Sequence, residues 1–153
     1  MKILMVCLGN ICRSPLAHGL LRDKSTKFDV DIQVDSAGTS GYHVGEAPDS
    51  RMRETAKHFK LNIDDLRARQ FVESDFDNYD IIYTMDKSNL SNVLALASND
   101  SERLKVKLIL NESNPGQNLE VPDPYYGGEQ GFIHVYNMLD IATDKIIEKY
   151  SNE

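Results

Sequence analysis

A cysteine at position 7 is followed by five residues and then by an arginine and a serine, in Cys7-Leu8-Gly9-Asn10-Ile11-Cys12-Arg13-Ser14-Pro15. That arrangement suits the capture of a phosphate dianion. The thiolate is the nucleophilic form of cysteine, and a free thiol with pKa about 8.5 is lowered by several units beside cations or at a helix N-terminus. Arg13, the loop amides and the Ser14 hydroxyl are the candidate stabilisers. Attack of the Cys7 sulfur on phosphorus would form a phosphocysteine. The planar fork of Arg13 can hold two equatorial phosphoryl oxygens, which a lysine cannot do bidentately. Charge developing on those oxygens would be met by donors already in place. Gly9 and Asn10 suit a tight loop in which some residues take positive φ. Alone, Cys7 reads as a small buried hydrophobe at the end of a strand; the spacing to Arg13 and Ser14 favours chemistry.

The leaving group of an aryl phosphate also needs a proton. A phenol has pKa near 10, so a general acid speeds departure of its anion. Asp123, in Val121-Pro122-Asp123-Pro124-Tyr125-Tyr126-Gly127, is the best candidate, because flanking prolines stiffen its loop. By itself such an Asp is an ordinary turn residue. In a second step the same carboxylate would take a proton from the water that attacks the phosphocysteine.

The surrounding elements must bring these residues together. The apolar run Lys2–Val6 reads as a buried strand, and Pro15 with Leu16, Leu20 and Leu21 as a helix to about Phe28. The loop therefore lies before a helix N-terminus, where unpaired amides and the helix dipole favour an anion. Further strands are predicted over Asp31–Asp35, Asp80–Met85 and Lys105–Leu110. Asp49 caps a helix to about Lys60, with Met52, Ala56 and Phe59 inward. Asp86 either caps the next helix, whose apolar face is Leu90, Val93, Leu94 and Ala97, or supports the phosphate loop; capping is favoured. A last helix covers roughly Gly131–Tyr150, after an Asn-, Gly- and Pro-rich loop from Asn111 to Gly128. Strands separated by helices imply an α/β fold: one domain over residues 1–153, three layers, and a four-stranded parallel sheet covered on both faces. Loops at the carboxyl ends of such strands converge on one rim. The segments after the four strands, carrying Cys7, Asp35-Ser36-Ala37-Gly38-Thr39, Asp86 and Asp123, would meet there.

Composition narrows the classes. A chain of 153 residues with net charge −7 disfavours broad nucleic-acid or anionic-membrane surfaces. No stretch is long and apolar enough to span a bilayer, and the N-terminal run lacks the length and flanks of a signal peptide. Two cysteines close together, with no Cys/His cluster at zinc spacing, point to reactive thiols in a reducing cytoplasm and to no metal or other cofactor. His18, His43, His58 and His134 read mostly as surface residues, with His43 near the slot.

The phosphate-loop stretch, Asp-Ser-Ala-Gly-Thr, Met85-Asp86 followed by Ser88-Asn89-Leu90, and Asp123-Pro124-Tyr125-Tyr126-Gly127 occur in that order. Together they resemble the low-molecular-weight protein tyrosine phosphatases, over nearly the whole chain. The resemblance implies Cys7 as nucleophile, Arg13 as phosphate clamp and Asp123 as acid and then base. It implies Leu8, Gly9, Asn10, Ile11, Cys12 and Ser14 as the phosphate-binding loop, with Ser36 bracing Asn10. Cys12 would form a reversible disulfide with Cys7 that protects the nucleophile from overoxidation. Tyr42, Tyr125 and Tyr126 would wall a slot deep enough for a phenyl ring, though each could also be an amphipathic surface residue. Leu66 stands where the family often has a histidine of the network behind the loop.

The expected substrate is a phosphotyrosine-bearing protein, and the expected enzyme a monomer. A phosphoarginine phosphatase of the same family is one alternative; Ile11, where those carry threonine, favours an aryl substrate. A non-catalytic phosphate-binding or phosphocarrier module is another, which the retained Asp123 disfavours. An arsenate reductase would need cysteines beyond Cys12, and the chain has none.

Overall fold

Alternation along the first strand decides the layering. In β1, Lys2–Cys7, the side chains of Ile3, Met5 and Cys7 go to one side of the sheet and those of Leu4 and Val6 to the other. Ile3, Leu4, Met5 and Val6 are all fully buried, as a central parallel strand requires. The computed structural model describes residues 1–126 and 128–151; the Tyr126 side chain lies outside the described part.

Along the chain follow α1 (Arg13–Lys27), β2 (Gln33–Gly38), α2 (Ser50–His58), α3 (Asp75–Asn78), β3 (Ile81–Thr84), α4 (Lys87–Leu94), α5 (Asp100–Arg103), β4 (Val106–Leu108), α6 (Leu110–Ser113) and α7 (Gly128–Ser151). A 3₁₀ turn, Pro124–Tyr126, precedes α7. The four strands pair in the order β2-β1-β3-β4, and all are parallel. On one face Ile3 and Met5 pack with Leu16, Leu20 and Leu21 of α1, Met52 and Ala56 of α2, and Leu139 and Ile146 of α7. On the other, Leu4, Val6 and Ile82 pack with Phe71, Phe76, Val93 and Val106. The result is the expected α/β/α sandwich around a four-stranded parallel sheet.

Boundaries moved where pairing overrode local signals. β2 starts later than predicted and runs on through Gly38, because its register follows β1 from Lys2↔Gln33 to Cys7↔Gly38. Asp35, Ser36 and Ala37 are therefore inside the strand, not beyond it. β4 is shorter than predicted, since Leu110 already opens α6. The short helices α3, α5 and α6 were not anticipated; four-residue helices carry too little periodicity to read. α1 begins two residues before Pro15, whose missing N–H costs nothing in a first turn. Both anticipated caps form: the Asp49 carboxylate accepts from the Arg51 N–H, and that of Asp86 from the Asn89 N–H. Among the described residues, no helix is long and apolar enough to cross a membrane.

Candidate active site

The loop from Leu8 to Cys12 is clamped between the end of β1 and the start of α1. Backbone bonds hold its outer edge: Thr39 N–H donates to the Cys7 carbonyl, Ser40 N–H to Leu8, and Asp49 N–H to Ile11, at 2.9, 2.9 and 2.8 Å. Gly38 permits this. A Cβ there would lie 2.8 Å from the Leu8 carbonyl oxygen, so only glycine lets β2 approach the loop so closely. Asn10 takes the left-handed conformation, φ 58°, which Asn tolerates better than most residues. Its amide Nδ2 donates to Ser14 Oγ at 2.7 Å, and its Oδ1 accepts from the Arg69 N–H at 3.0 Å.

This geometry encircles the Cys7 sulfur with hydrogen-bonding groups. Ser14 Oγ lies 3.0 Å from Sγ, and the Asn10 N–H points at it from 3.3 Å. Cys12 is also a free thiol; burial pushes its pKa up, and the nearby Asp49, Cys7 and Asp123 add to the rise. One loop thus holds two thiols in unlike surroundings.

Arg13 is buried, with 2% of its side chain exposed. Its Nη1 donates to Asp86 Oδ2 at 2.7 Å and to the Val121 carbonyl at 2.9 Å. Burial disfavours the charge, but Cys7 and Asp86 outweigh it, so the pKa ends above its ordinary value. The guanidinium plane is therefore fixed in advance. Asp86 both caps α4 and anchors Arg13, one carboxylate oxygen for each, so the two roles weighed for it coexist. Asp123 Oδ2 lies 3.8 Å from Arg13 Nη2, while its Oδ1 accepts from the Tyr125 N–H at 3.0 Å. Cys7, Leu8, Gly9, Ile11, Cys12, Arg13, Ser40, Tyr42, His43, Asp123 and Tyr125 line one cavity of about 210 Å³. Tyr42 is 90% exposed and forms only the rim; Tyr125 is 39% exposed. The expectation for the Tyr126 side chain lies outside the described residues. His43 does border the cavity, with Nδ1 2.7 Å from Glu46.

Two expectations need correction. Ser36 does not hydrogen-bond Asn10; its hydroxyl lies 3.0 Å from His18 Nδ1. Ser36 pairs in register with Met5, so its side chain faces α1, where His18 sits. His18 itself is buried, not at the surface. Burial lowers its pKa to about 4, leaving a neutral ring behind the phosphate loop. Leu66 is packed into the apolar core and offers no polar group, so the partner of Ser36 comes from α1. The sequence did carry a signal: His18 falls four residues after Ser14, on the same face of α1. Asn10 is braced instead by Ser14 and by the backbone of Arg69. The Arg69 side chain is in turn bonded to Asp35 and Asp75. Among the described residues, no group of three or more His, Cys, Asp or Glu side chains could hold a metal ion.

The chain matches the family model described as low molecular weight phosphotyrosine protein phosphatase over residues 2–153. It is 42% identical over 141 residues to the low molecular weight phosphotyrosine protein phosphatase of Schizosaccharomyces pombe, covering 90% of this chain and 89% of that protein. A crystal structure of a protein tyrosine phosphatase from Entamoeba histolytica, with Hepes in its active site, superposes with a TM-score of 0.92 at 38% identity, over 99% of this chain and 97% of the other. A Drosophila arginine phosphatase is also similar, with a TM-score of 0.90 at 30% identity over 98% of both chains. By the family match over residues 2–153 and by these relatives in sequence and fold, the chain belongs to the low-molecular-weight phosphotyrosine protein phosphatase family.

Proposed function

We propose that the chain, as one phosphatase domain, hydrolyses phosphotyrosine in proteins, and small aryl phosphates, through a phosphocysteine at Cys7. The observation that carries this is the convergence of the Cys7 sulfur, a buried and prefixed Arg13, and Asp123 on one cavity of about 210 Å³. In the first step the Cys7 sulfur attacks phosphorus, the phosphorus–oxygen bond to the phenol breaks, and Asp123 gives the departing oxygen its proton. Arg13 and the loop from Leu8 to Ser14 hold the phosphoryl oxygens as charge builds on them. In the second step Asp123 takes a proton from water, which attacks phosphorus and releases Cys7. Asn10 and Ser14 keep the sulfur and loop in register.

Fold alone does not separate tyrosine from arginine phosphatases, because both appear among the similar structures. The side chain that favours an aryl ring is Ile11, an apolar wall of the cavity, together with Tyr125 and Tyr42, which also line it. The substrate is a phosphoprotein; a monomeric enzyme of the cytoplasm without nucleic-acid partners fits the net charge of −7 and the paired free thiols. Turnover of phosphotyrosine, phosphoserine and phosphoarginine peptides, with and without chelator, tests the assignment. Chelator-insensitive turnover selective for phosphotyrosine is expected. Preference for phosphoarginine would establish the alternative.

A further inference from the structure

α2 starts against the phosphate loop and, through one side chain, reaches the acid loop. Asp49, its cap, donates its own N–H to the Ile11 carbonyl at 2.8 Å. The Asp49 carboxylate accepts from Arg51 Nε at 3.1 Å and from Nη2 at 3.0 Å, a two-point fork. Burial pushes the Asp49 carboxyl up, but the bonds from Arg51 prevail and its pKa ends below the ordinary value. The remaining arm, Nη1, donates to the Tyr125 carbonyl at 3.0 Å. The guanidinium carbon lies 5.1 Å from the Tyr125 ring centre and 4.8 Å from that of Phe132, which is buried in α7. Tyr125 is thus gripped on both sides: Arg51 holds its carbonyl, and its N–H holds the carboxylate of Asp123 at 3.0 Å.

We infer that Arg51 is a positioning residue for Asp123, bracketing the acid loop to the phosphate loop through Asp49. The inference rests on the phosphatase assignment and deepens it. Arg51 is 45% exposed, and an ion pair that reaches solvent contributes little to stability, so losing this side chain should disturb geometry more than folding. Geometry matters because an acid misplaced by about 1 Å can cost on the order of a hundredfold. Arg51→Met keeps the stem that covers Phe132 and removes every donor. Arg51→Lys keeps a charged donor group but loses the planar fork.

The test is kcat/KM for a series of aryl phosphates whose phenols run from strongly acidic to tyrosine-like, in the parent, both variants, Asp123→Asn and the Arg51→Met/Asp123→Asn double variant. A residue that acts through the acid should slow poor leaving groups roughly ten- to a hundredfold and activated ones less than about threefold. The double variant should be no slower than Asp123→Asn alone. Arg51→Lys should fall between parent and Arg51→Met, and it supplies the same comparison if Arg51→Met does not fold. Equal slowing across the series, or full additivity with Asp123→Asn, in an active parent overturns the inference alone. A parent inactive on every aryl phosphate overturns the phosphatase assignment and the inference together.

Discussion

His18 should set how fast the protein loses stability in acid. The ring is 7% exposed, and burial brings its pKa from 6.5 to about 4. Between those values the unfolded chain binds a proton that the folded chain refuses. Stability therefore rises with pH through this window and is lost as pH falls from about 6.5 toward 4. At about 1.4 kcal/mol per unit, the full loss is about 3 kcal/mol, of which about 2 falls between pH 7 and pH 5. That is a large part of the roughly 5–15 kcal/mol of a typical domain. His18→Asn places an amide near the position of Nδ1, keeps a partner for Ser36 and removes the titration. Urea unfolding of both proteins at pH 7 and pH 5 isolates the effect, because every other titrating group is common to the two. The pH-dependent part of the unfolding free energy should be about 2 kcal/mol smaller in the variant. An equal pH dependence would show that His18 is not held neutral by burial, and would refute its place behind the loop.

The remaining expectations concern the reaction itself. Arg13→Lys keeps a charge but not the fork proposed to hold the phosphoryl oxygens; kcat/KM should fall by a few kcal/mol of transition-state stabilisation, and kinetics within tenfold of the parent would contradict the bidentate role. Asp123→Asn should slow phosphorylation by tyrosine phosphate about a hundred- to ten-thousandfold and by an activated phenyl phosphate much less, measured in pre-steady-state bursts; equal slowing would remove Asp123 from the acid role. Peroxide should inactivate the parent reversibly and Cys12→Ser irreversibly, as read by recovery in thiol reductant; equal recovery would show that Cys12 gives no protection.

The parts legible in the sequence are those that local chemistry dictates. The Cys7–Ser14 loop, the caps Asp49 and Asp86, and the alternation of buried strands with amphipathic helices are each written in a few adjacent residues. The parts that were not legible depend on contacts distant in the chain. Gly38 looks like a loop residue until β2 is laid beside β1 and its missing Cβ makes room for Leu8. His18 looks like a surface histidine until Ser36 is placed opposite it by strand register. The bonds that Arg69 and Arg51 make to Asn10 and Tyr125 span 59 and 74 positions. Asp86 showed its cap in the sequence and its grip on Arg13 only in three dimensions.

The phosphocysteine mechanism stands or falls on where phosphate goes during turnover. Mixing the protein with a radiolabelled aryl phosphate, quenching within milliseconds and mapping the digest should find label on the peptide that contains Cys7. The label should be absent from Cys7→Ser, while that variant still binds vanadate. It should also accumulate where Asp123→Asn slows its release to water. Turnover without label on Cys7, or turnover retained by Cys7→Ser, would contradict the phosphocysteine mechanism.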